Sequence, residues 1–321
     1  MLRAPEFWYS QNPLSLALLP ASWVYDIVRR IKNTLAKPEV LSIPIICVGN
    51  LTAGGAGKTP VALHIGKLLK EQNINAFFLS RGYGGKLAGP VLVDSNNHSA
   101  HDVGDEPLML ADMLPTIISK DRLAGAQFAI KQGAKAIIMD DGLQNNAIAK
   151  TVSLVVVNGT LGFGNGMLLP AGPLREPIAE GLARCDAAVV VNGIGEMVLE
   201  EAKQVFSAST QPVEINSLKE KRVLAFCGIA YPEKFFSTLH NLGARVTSSH
   251  GFADHHSYSA HEIEKLKKQA AAEGSVLITT AKDWVRIPKE LRADIEVLNI
   301  TLEFDDKESF AEFLFAKAGI T

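Results

Sequence analysis

Short apolar runs alternate with helical or polar stretches along most of the chain. The runs predict buried strands at residues 44–48, 76–79, 90–93, 116–119, 136–139, 154–157 and 187–191. Amphipathic stretches between them predict helices, as at 61–69, 106–113 and 122–133. Because parallel strands are joined by crossover helices and are buried on both faces, this alternation predicts an α/β fold with a mostly parallel sheet flanked by helices.

The pattern changes after about residue 195 and indicates a second unit. Residues 196–208 have a polar helical pattern, and 211–221 are predicted to be extended. A new alternation follows, with strands predicted at 223–228, 275–279 and 295–300 and helices at 232–241, 261–272 and 310–316. We therefore predict two domains, one at residues 1–220 and a smaller α/β domain at residues 221–321.

The first 43 residues differ from the rest of the chain. Residues 14–25 are apolar but contain Pro20, and they fall well short of the roughly 20 residues that span a bilayer. On a helix that begins near Pro20, apolar side chains share one side and basic ones follow: Leu16, Leu19, Trp23, Ile27 and Ile31, then Arg29, Arg30, Lys32 and Lys37. Such a helix either lies in the lipid headgroup plane or packs on the core, and the sequence leaves both alternatives open.

Composition narrows the class of protein. The 321 residues are 47% hydrophobic and 21% charged, which is enough apolar material for a globular core. A formal net charge of -2 gives no general attraction to nucleic acid, so we expect no nucleic-acid partner. The three cysteines lack CxxC spacing, which indicates a reducing compartment. No obligate protein partner is inferred.

The Gly-rich turn after the first predicted strand is the most informative stretch. It reads Thr52, Ala53, Gly54, Gly55, Ala56, Gly57, Lys58, Thr59. Its glycines let backbone N–H groups converge on phosphate oxygens, Lys58 reaches the outer phosphates and Thr59 can ligate Mg2+. Thr52 stands where the general pattern has glycine, but a strand before and a helix after favour a phosphate loop. The first domain is therefore predicted to be of the phosphate-loop NTPase type.

Two acidic pairs lie at predicted element ends. Asp140 and Asp141 follow the strand predicted at 136–139, and ligands bind at the carboxyl ends of parallel strands. We therefore expect a Mg2+ role there, with Asp140 first. Asp105 and Glu106 stand before Pro107, where they fit a helix N-terminus or a carboxylate that accepts a substrate hydroxyl proton. These residues alone leave both alternatives open.

Basic residues lie in loops that follow predicted strands. They are Arg81, near Tyr83, then Arg122, and Arg175 in the proline-rich stretch 170–177. Arginine pairs with phosphate in a bidentate manner and stabilises transition-state charge. Taken one at a time, such residues are more often solvated loop charges.

Together these stretches resemble one family, the lipid A tetraacyldisaccharide 4'-kinases of Gram-negative bacteria. The matching segments span nearly the whole chain: VGNLTAGGAGKTP at 48–60, LSRGYG at 79–84, VGDEP at 103–107, DDGLQ at 140–144, PAGPLRE at 170–176, FADH at 252–255 and KD at 282–283. The family's phosphate loop also tends to have threonine at the position of Thr52. Its departure from the general pattern thus supports the resemblance.

The resemblance implies a function. It implies transfer of the γ-phosphoryl group of ATP to the 4'-hydroxyl of a tetraacylated glucosamine disaccharide 1-phosphate, which gives lipid IVA. The enzyme would lie at the cytoplasmic face of the inner membrane as a peripheral protein, contacting the membrane surface through residues 1–30. The second domain would close the nucleotide cleft.

The resemblance also implies residue roles. The loop at 52–59 would bind ATP, with Lys58 and Thr59 on phosphates and Mg2+ and Arg175 on the developing charge. Asp105 would be the catalytic base, tuned by a histidine that matches His255, although the neighbouring His256 leaves this alignment open by one place. The metal and its water shell would be served by Asp140, Asp141, Glu106 and Gln144. We further expect substrate contacts from Arg81, Tyr83 and Arg122.

Two other classes of protein were weighed against this one. A nucleotide-switch or partner-moving ATPase needs no aspartate base, but Ala53 stands where such ATPases have lysine. A guanine-specific Asn-Lys-x-Asp stretch is also absent from the sequence. A non-catalytic membrane module would not need Lys58 and Thr59 together with Asp140.

Overall fold

The structure is a computed structural model that describes residues 5–10, 12–193, 202–213 and 217–320. Its strands are β1 Ile45–Gly49, β2 Ala76–Ser80, β3 Val91–Leu92, β4 Thr116–Ile118, β5 Ala136–Asp140, β6 Val152–Asn158, β7 Ala187–Val191, β8 Val205–Pro212, β9 Arg222–Cys227, β10 Arg245–Gly251, β11 Val276–Thr280, β12 Ile295–Leu298 and β13 Ile300–Phe304.

The helices lie between these strands and at both ends of the chain. They are α1 Pro13–Ala17, α2 Leu19–Leu35, α3 Lys58–Glu71, α4 Ala100–Val103, α5 Asp105–Ala111, α6 Arg122–Lys131, α7 Ile178–Ala183, α8 Pro232–Asn241, α9 Ala260–Ala272, α10 Ala281–Trp284 and α11 Lys307–Ala318. Short 3-10 helices occur at Glu6–Trp8 and Lys289–Leu291.

The larger sheet has nine strands in the order β13-β8-β7-β6-β1-β5-β2-β4-β3. Its neighbours pair in parallel except at the two edges, where β3 and β13 are antiparallel. Ile46 and Val48 of β1 enter the apolar core shared with α3 and α11, and Ile45 and Cys47 enter the core shared with α6 and α7. The α/β fold predicted from the alternation is confirmed, and β1 carries the phosphate loop at the centre of the sheet.

The smaller sheet has the order β10-β9-β11-β12, and all of its strands are parallel. Alternate residues of β9 point to opposite cores, so that Val223 and Ala225 pack against α8 while Leu224 and Phe226 pack against α9. This is a second α/β layer structure with its own cores. Its strands end at the loops that carry His255 and Arg286.

Three element predictions are corrected by the structure. The helix predicted at 196–208 is wrong for the part of it that the structure describes. Val205–Pro212 is a strand that pairs in parallel with β7, and its alternate residues Phe206 and Ala208 are buried. Residues 196–201 of that prediction lie outside the described residues. The single strand predicted at 295–300 is two strands that belong to different sheets. Strand β10 went unpredicted because it is a mostly polar edge strand.

The chain crosses between the two sheets twice. Strand β13 pairs with β8 and α11 packs behind it, so residues 300–318 return to the larger sheet. The rings of Phe304 and Phe310 stack there with centroids 3.9 Å apart. The domain boundary near residue 220 falls at the first crossing, between β8 and β9, and stays a prediction. At the second crossing, between β12 and β13, the apolar pattern of the sequence has no break that could mark a boundary.

Candidate active site

The phosphate loop joins the end of β1 to the start of α3. Gly57 precedes the helix with φ 92°, a left-handed conformation that favours glycine. The buried side chain of Asn50 lies under the loop and donates from Nδ2 to the carbonyl of Gly54 at 3.3 Å. Its Oδ1 accepts a hydrogen bond from Nζ of Lys58 at 3.3 Å. Asn50, which the sequence did not single out, therefore ties the loop to its lysine.

Two separate segments, 141–144 and the stretch around Arg175, bring charged and amide side chains to this loop. Asp141 Oδ1 lies 3.6 Å from Nζ of Lys58 and 2.9 Å from Nη1 of Arg175. The same Arg175 nitrogen donates to Oε1 of Gln144 at 3.2 Å, and Gln144 donates to the carbonyl of Asn50 at 2.9 Å. Burial by itself raises the pKa of Asp141, but the positive charges of Lys58 and Arg175 lower it below its usual value. These predicted site residues thus form one connected network.

Asp140 ends β5 next to this network and is almost fully buried at 1% exposure. Its Oδ1 has no hydrogen-bond partner among the described residues. Burial, and next the charge of Glu106, raise the pKa of Asp140 to about 7. Arg122 lies beneath it and donates from Nη2 to the Asp140 carbonyl at 3.2 Å. A buried carboxylate oxygen without a donor is a place where a cation would be stabilised.

The oxygen atoms around Asp140 fit Mg2+ better than a transition metal. The described parts of the chain hold no cluster of three or more His, Cys, Asp or Glu side chains arranged as a ready metal cage. Magnesium in kinases usually takes only one or two carboxylates and completes its shell with phosphate oxygens and water. The carboxylates of Asp140 and Glu106, which lie close enough for the charge of one to raise the pKa of the other, could supply hard oxygen ligands of that kind.

Asp105 is the first residue of α5 and faces the second domain. Nδ1 of His255 lies 3.0 Å from Asp105 Oδ2, and Nε of Arg286 donates to the same oxygen at 3.0 Å. Nζ of Lys282 stands 4.0 Å away. Burial by itself raises the pKa of Asp105, but the His255 hydrogen bond and the charges of Arg286 and Lys282 hold it well below its usual range. Asp105 is therefore a buried, ionised carboxylate that is contacted by basic side chains from the loop after β10 and the segment after β11.

The neighbouring histidines point to different places. His256 packs against Phe252, with ring centroids 4.7 Å apart, and its Nε2 lies 3.0 Å from Oε1 of Glu262. His255 has φ 60°, and this left-handed turn directs its ring to Asp105 instead. In this geometry His255, not His256, is the partner of Asp105.

A family model described as tetraacyldisaccharide-1-P 4'-kinase, LpxK, matches residues 14–318 of the chain. The chain belongs to this kinase family. The Rhodospirillum rubrum tetraacyldisaccharide 4'-kinase is 45% identical over 96% of this chain and 96% of its own length. The Paramagnetospirillum magneticum tetraacyldisaccharide 4'-kinase is 45% identical over 99% of both chains.

A solved structure supports the same assignment. It is described as LpxK from Aquifex aeolicus in complex with ATP, and it matches with a TM-score of 0.80 at 29% identity. The match covers 95% of this chain and 99% of that chain. A kinase of this family therefore has the predicted phosphate-loop fold over nearly its whole length.

The three residues predicted to contact substrate lie in different surroundings in this kinase. Arg81 and Tyr83 are exposed in the loop after β2. Arg122 is buried at 4% exposure against Asp140, and burial lowers its pKa to about 10. Its position favours orienting Asp140 over touching a substrate, because the side chain is buried and donates to the carbonyl of Asp140.

The loop that carries Arg175 also braces the phosphate loop of the kinase. The amide of Ala53 donates to the carbonyl of Pro173, and the amide of Arg175 donates to the carbonyl of Leu51, both at 2.7 Å. On its other side this loop receives the N-terminal helix α2. The hydroxyl of Tyr25 donates to the carbonyl of Arg175 at 3.0 Å. Helix α2 thus contacts the backbone of Arg175 directly.

Helix α2 has one docked side and one exposed apolar side. Ser22 donates to the carbonyl of Leu168 at 2.8 Å, and Arg29 pairs with Glu180 at 2.7 Å. The opposite side exposes large apolar side chains: Trp23, Val24, Ile27, Val28, Ile31 and Leu35. Within the described part of the chain, no helix has the length and apolar content to cross a membrane. Polar contacts hold α2 to the core, and its apolar side is left uncovered.

Proposed function

We propose that this kinase transfers the γ-phosphoryl group of ATP to the 4'-hydroxyl of a tetraacylated glucosamine disaccharide 1-phosphate, giving lipid IVA in lipid A biosynthesis. The observation that carries the proposal is the match of this kinase family to residues 14–318 of a chain that has both a phosphate loop at 52–59 and a buried carboxylate, Asp105, held by His255 and Arg286. Phosphoryl transfer asks mainly for in-line positioning, charge neutralisation and an acceptor for the hydroxyl proton.

The phosphate loop and Arg175 supply the positioning. In the proposed reaction the backbone N–H groups of residues 52–59 and Nζ of Lys58 hold the ATP phosphates, because the helix N-terminus of α3 faces them. Lys58 and Arg175 both contact Asp141. Each cation can exchange that carboxylate for a phosphate oxygen, which places Arg175 on the charge that develops during transfer.

Mg2+ is part of the proposal. Asp140 would hold it, with Glu106, Asp141 and the hydroxyl of Thr59 as further oxygens and Gln144 ordering the water shell. Such an ion would supply positive charge that neutralises the phosphate oxygens during transfer. The buried Oδ1 of Asp140 without a donor supports this assignment. The buried guanidinium of Arg122 holds the backbone of Asp140 from below.

Asp105 is proposed to accept the proton of the 4'-hydroxyl. As the 4'-oxygen forms its bond to the γ-phosphorus, its O–H bond breaks toward the carboxylate, and the bond to the β–γ bridging oxygen breaks to leave ADP. His255 orients this carboxylate by donating from Nδ1. In that tautomer its Nε2 is an acceptor for Nζ of Lys282, which lies 3.3 Å away.

The acceptor lipid explains the uncovered side of α2. We propose that this side lies in the headgroup region of the cytoplasmic face of the inner membrane, so the kinase is a peripheral protein there. Trp23 is 65% exposed and Ile27 is 57% exposed, and a monomer in water does not usually leave such a stripe uncovered. The contact of Tyr25 with the Arg175 loop puts this surface next to the proposed site of transfer.

The experiment that tests the proposal measures ATP consumption and lipid product together. Purified enzyme, Mg2+ and ATP are incubated with and without vesicles that carry the disaccharide lipid, and the lipid fraction is analysed by mass spectrometry. We expect one phosphate added per ADP formed, and neither product with Lys58→Ala. ADP formation that is equally fast without the lipid would contradict the proposal.

A further inference from the structure

Arg286, which the sequence analysis did not single out, is buried where the segment after β11 meets the start of α5. Its side chain is only 4% exposed. Nε donates to Oδ2 of Asp105 at 3.0 Å, and Nη2 donates to the same oxygen. Nη1 donates to the carbonyl of Gly228 at 2.8 Å. One guanidinium therefore joins the second domain to the carboxylate at the start of α5.

The guanidinium of Arg286 is held by Asp283, whose side chain is fully buried. Oδ1 of Asp283 lies 3.1 Å from Nη1 of Arg286 and accepts from the amide of Gly228 and the hydroxyl of Tyr258. Its Oδ2 accepts from the hydroxyl of Thr280 at 2.6 Å. A buried carboxylate with four partners cannot move without losing several of them. The arginine thus has a rigid support in its own domain.

Apolar packing fixes the same segment against the first domain. Val285 is 6% exposed and packs in a cluster with Val103, Leu108 and Ile118, which lie around α5. The neighbouring Trp284 packs against this cluster too. This packing fixes the position of α10 relative to α5 next to Arg286. It therefore also fixes where the guanidinium contacts Asp105.

The three basic side chains of the second domain approach one oxygen of Asp105. Arg286, His255 and Lys282 all contact Oδ2 in the described structure. Oδ1 is then the oxygen left to receive the proton of an incoming hydroxyl. Two N–H groups of one planar guanidinium that converge on Oδ2 hold this oxygen in place more firmly than a single donor would.

We propose that Arg286 is a positioning residue of the phosphoryl transfer: supported by Asp283, it holds Oδ2 of Asp105 from the second domain so that Oδ1 faces the acceptor hydroxyl. This inference rests on the proposed function. It assigns to the segment 280–286 the task of aligning the base when the two domains meet. Arg286 itself does not touch the reacting atoms.

The test separates positioning from folding by kinetics and by chemical rescue. Arg286→Ala is expected to lower kcat about 10- to 100-fold, a part of the 10²- to 10⁴-fold that a general base contributes, with KM for ATP changed less than about twofold. Low-millimolar ethylguanidinium should restore part of the activity of Arg286→Ala and leave the wild type unchanged. Arg286→Lys should fall between, because one ammonium cannot contact Asp105, Gly228 and Asp283 together.

Two controls make the outcome decisive. Arg245→Ala removes an exposed arginine of the same domain, 66% exposed in its pair with Glu220, and should leave kcat unchanged. In an Asp105→Asn background, Arg286→Ala should lower kcat little further, since the two residues act as a unit. The inference would be overturned if Arg286→Ala lowered kcat by the same factor in the Asp105→Asn background as in the wild type. A near-normal kcat for Arg286→Ala alone would overturn it too.

If Arg286→Ala does not fold, Arg286→Lys is compared in the wild-type and Asp105→Asn backgrounds instead. Failure of the proposed function is distinguishable, because the wild-type enzyme would then form no phosphorylated lipid at all. If the wild type is active and both Arg286→Lys and Arg286→Ala keep its kcat, only the role of Arg286 is refuted.

Discussion

Nδ1 of His255 lies 3.0 Å from Oδ2 of Asp105, although the two residues belong to different sheets. The contact joins the loop after β10 to the first turn of α5. Nδ1 of His255 faces this carboxylate, and its Nε2 lies 3.3 Å from Nζ of Lys282. The pair can work as a unit only while the two domains are in contact.

The first prediction concerns this pair. Asp105→Ala should lower kcat by a factor on the order of 10² to 10⁴, the usual contribution of a general base. His255→Ala should cost less, and the double variant should be little worse than Asp105→Ala, because residues that act together are not additive. His256→Ala is the matched control, since its ring pairs with Glu262 instead. Steady-state kinetics that show multiplicative losses would refute the pairing.

The second prediction concerns the link between α2 and the active-site arginine. Tyr25→Phe removes only the hydroxyl that donates to the carbonyl of Arg175. We expect kcat for lipid phosphorylation to fall about 2- to 10-fold, the kinetic equivalent of one net hydrogen bond, without a change in vesicle binding. Thr34→Val removes a hydroxyl farther along the same helix and should have no effect. An unchanged kcat for Tyr25→Phe would mean that the hydroxyl contact does not support Arg175.

The third prediction concerns the uncovered side of α2. Replacing Trp23 and Ile27 by aspartate should weaken binding to anionic vesicles by at least about 10-fold, because each buried apolar side chain contributes roughly 1.5–3 kcal/mol. ATP binding should be unchanged, since both side chains point away from the core. Leu92→Asp, an exposed leucine on β3, is the control. Vesicle sedimentation that gave equal binding for all three proteins would contradict a lipid-facing role.

These point substitutions are preferable to removing residues 1–30. The docked side of α2 makes hydrogen bonds to the loop at 168–175 and ion pairs with Glu180. A deletion would remove these contacts together with the apolar side. Loss of activity would then report on the Arg175 loop as well as on lipid binding.

The fourth prediction is a dependence of stability on pH through His64. Burial lowers the pKa of His64, whose Nδ1 lies 3.2 Å from the carbonyl of Leu302, with Lys67, Glu71 and Lys307 as the charged groups around it. The unfolded chain therefore binds a proton more readily, and stability is lost as pH falls below the unfolded value of about 6.5. The Tm should fall when the pH is lowered from one unit above this pKa to one unit below it, and His64→Gln should make that fall smaller. An equal drop in both proteins would exclude His64 as the cause.

The phosphate loop could be predicted from the sequence because its chemistry is local. The strand, the glycines, Lys58 and the helix follow one another in the chain, and the structure keeps that order. Asp140 and Asp141 were predictable for the same reason, since they end a buried strand next to β1. Local order and apolar pattern were sufficient for this half of the candidate site.

The contacts between domains could not be predicted in this way. Arg286 and Asp105 are 181 positions apart, and their contact depends on how α10 packs against α5. Arg122 was expected among exposed loop charges, but its side chain is buried and donates to the carbonyl of Asp140. The one available signal for Arg286 was its place one helical turn after Asp283, just past a strand end.

The position of the transferred phosphate tests the central claim most directly. The enzyme is incubated with Mg2+, the disaccharide 1-phosphate lipid and ATP that carries an isotopic label in its γ-phosphoryl group, and the lipid product is examined by 31P NMR and mass spectrometry. The account predicts a second phosphomonoester at the 4' position that carries all of the label, and none with Lys58→Ala. Label found only in free phosphate, at the same rate with and without the lipid, would contradict it.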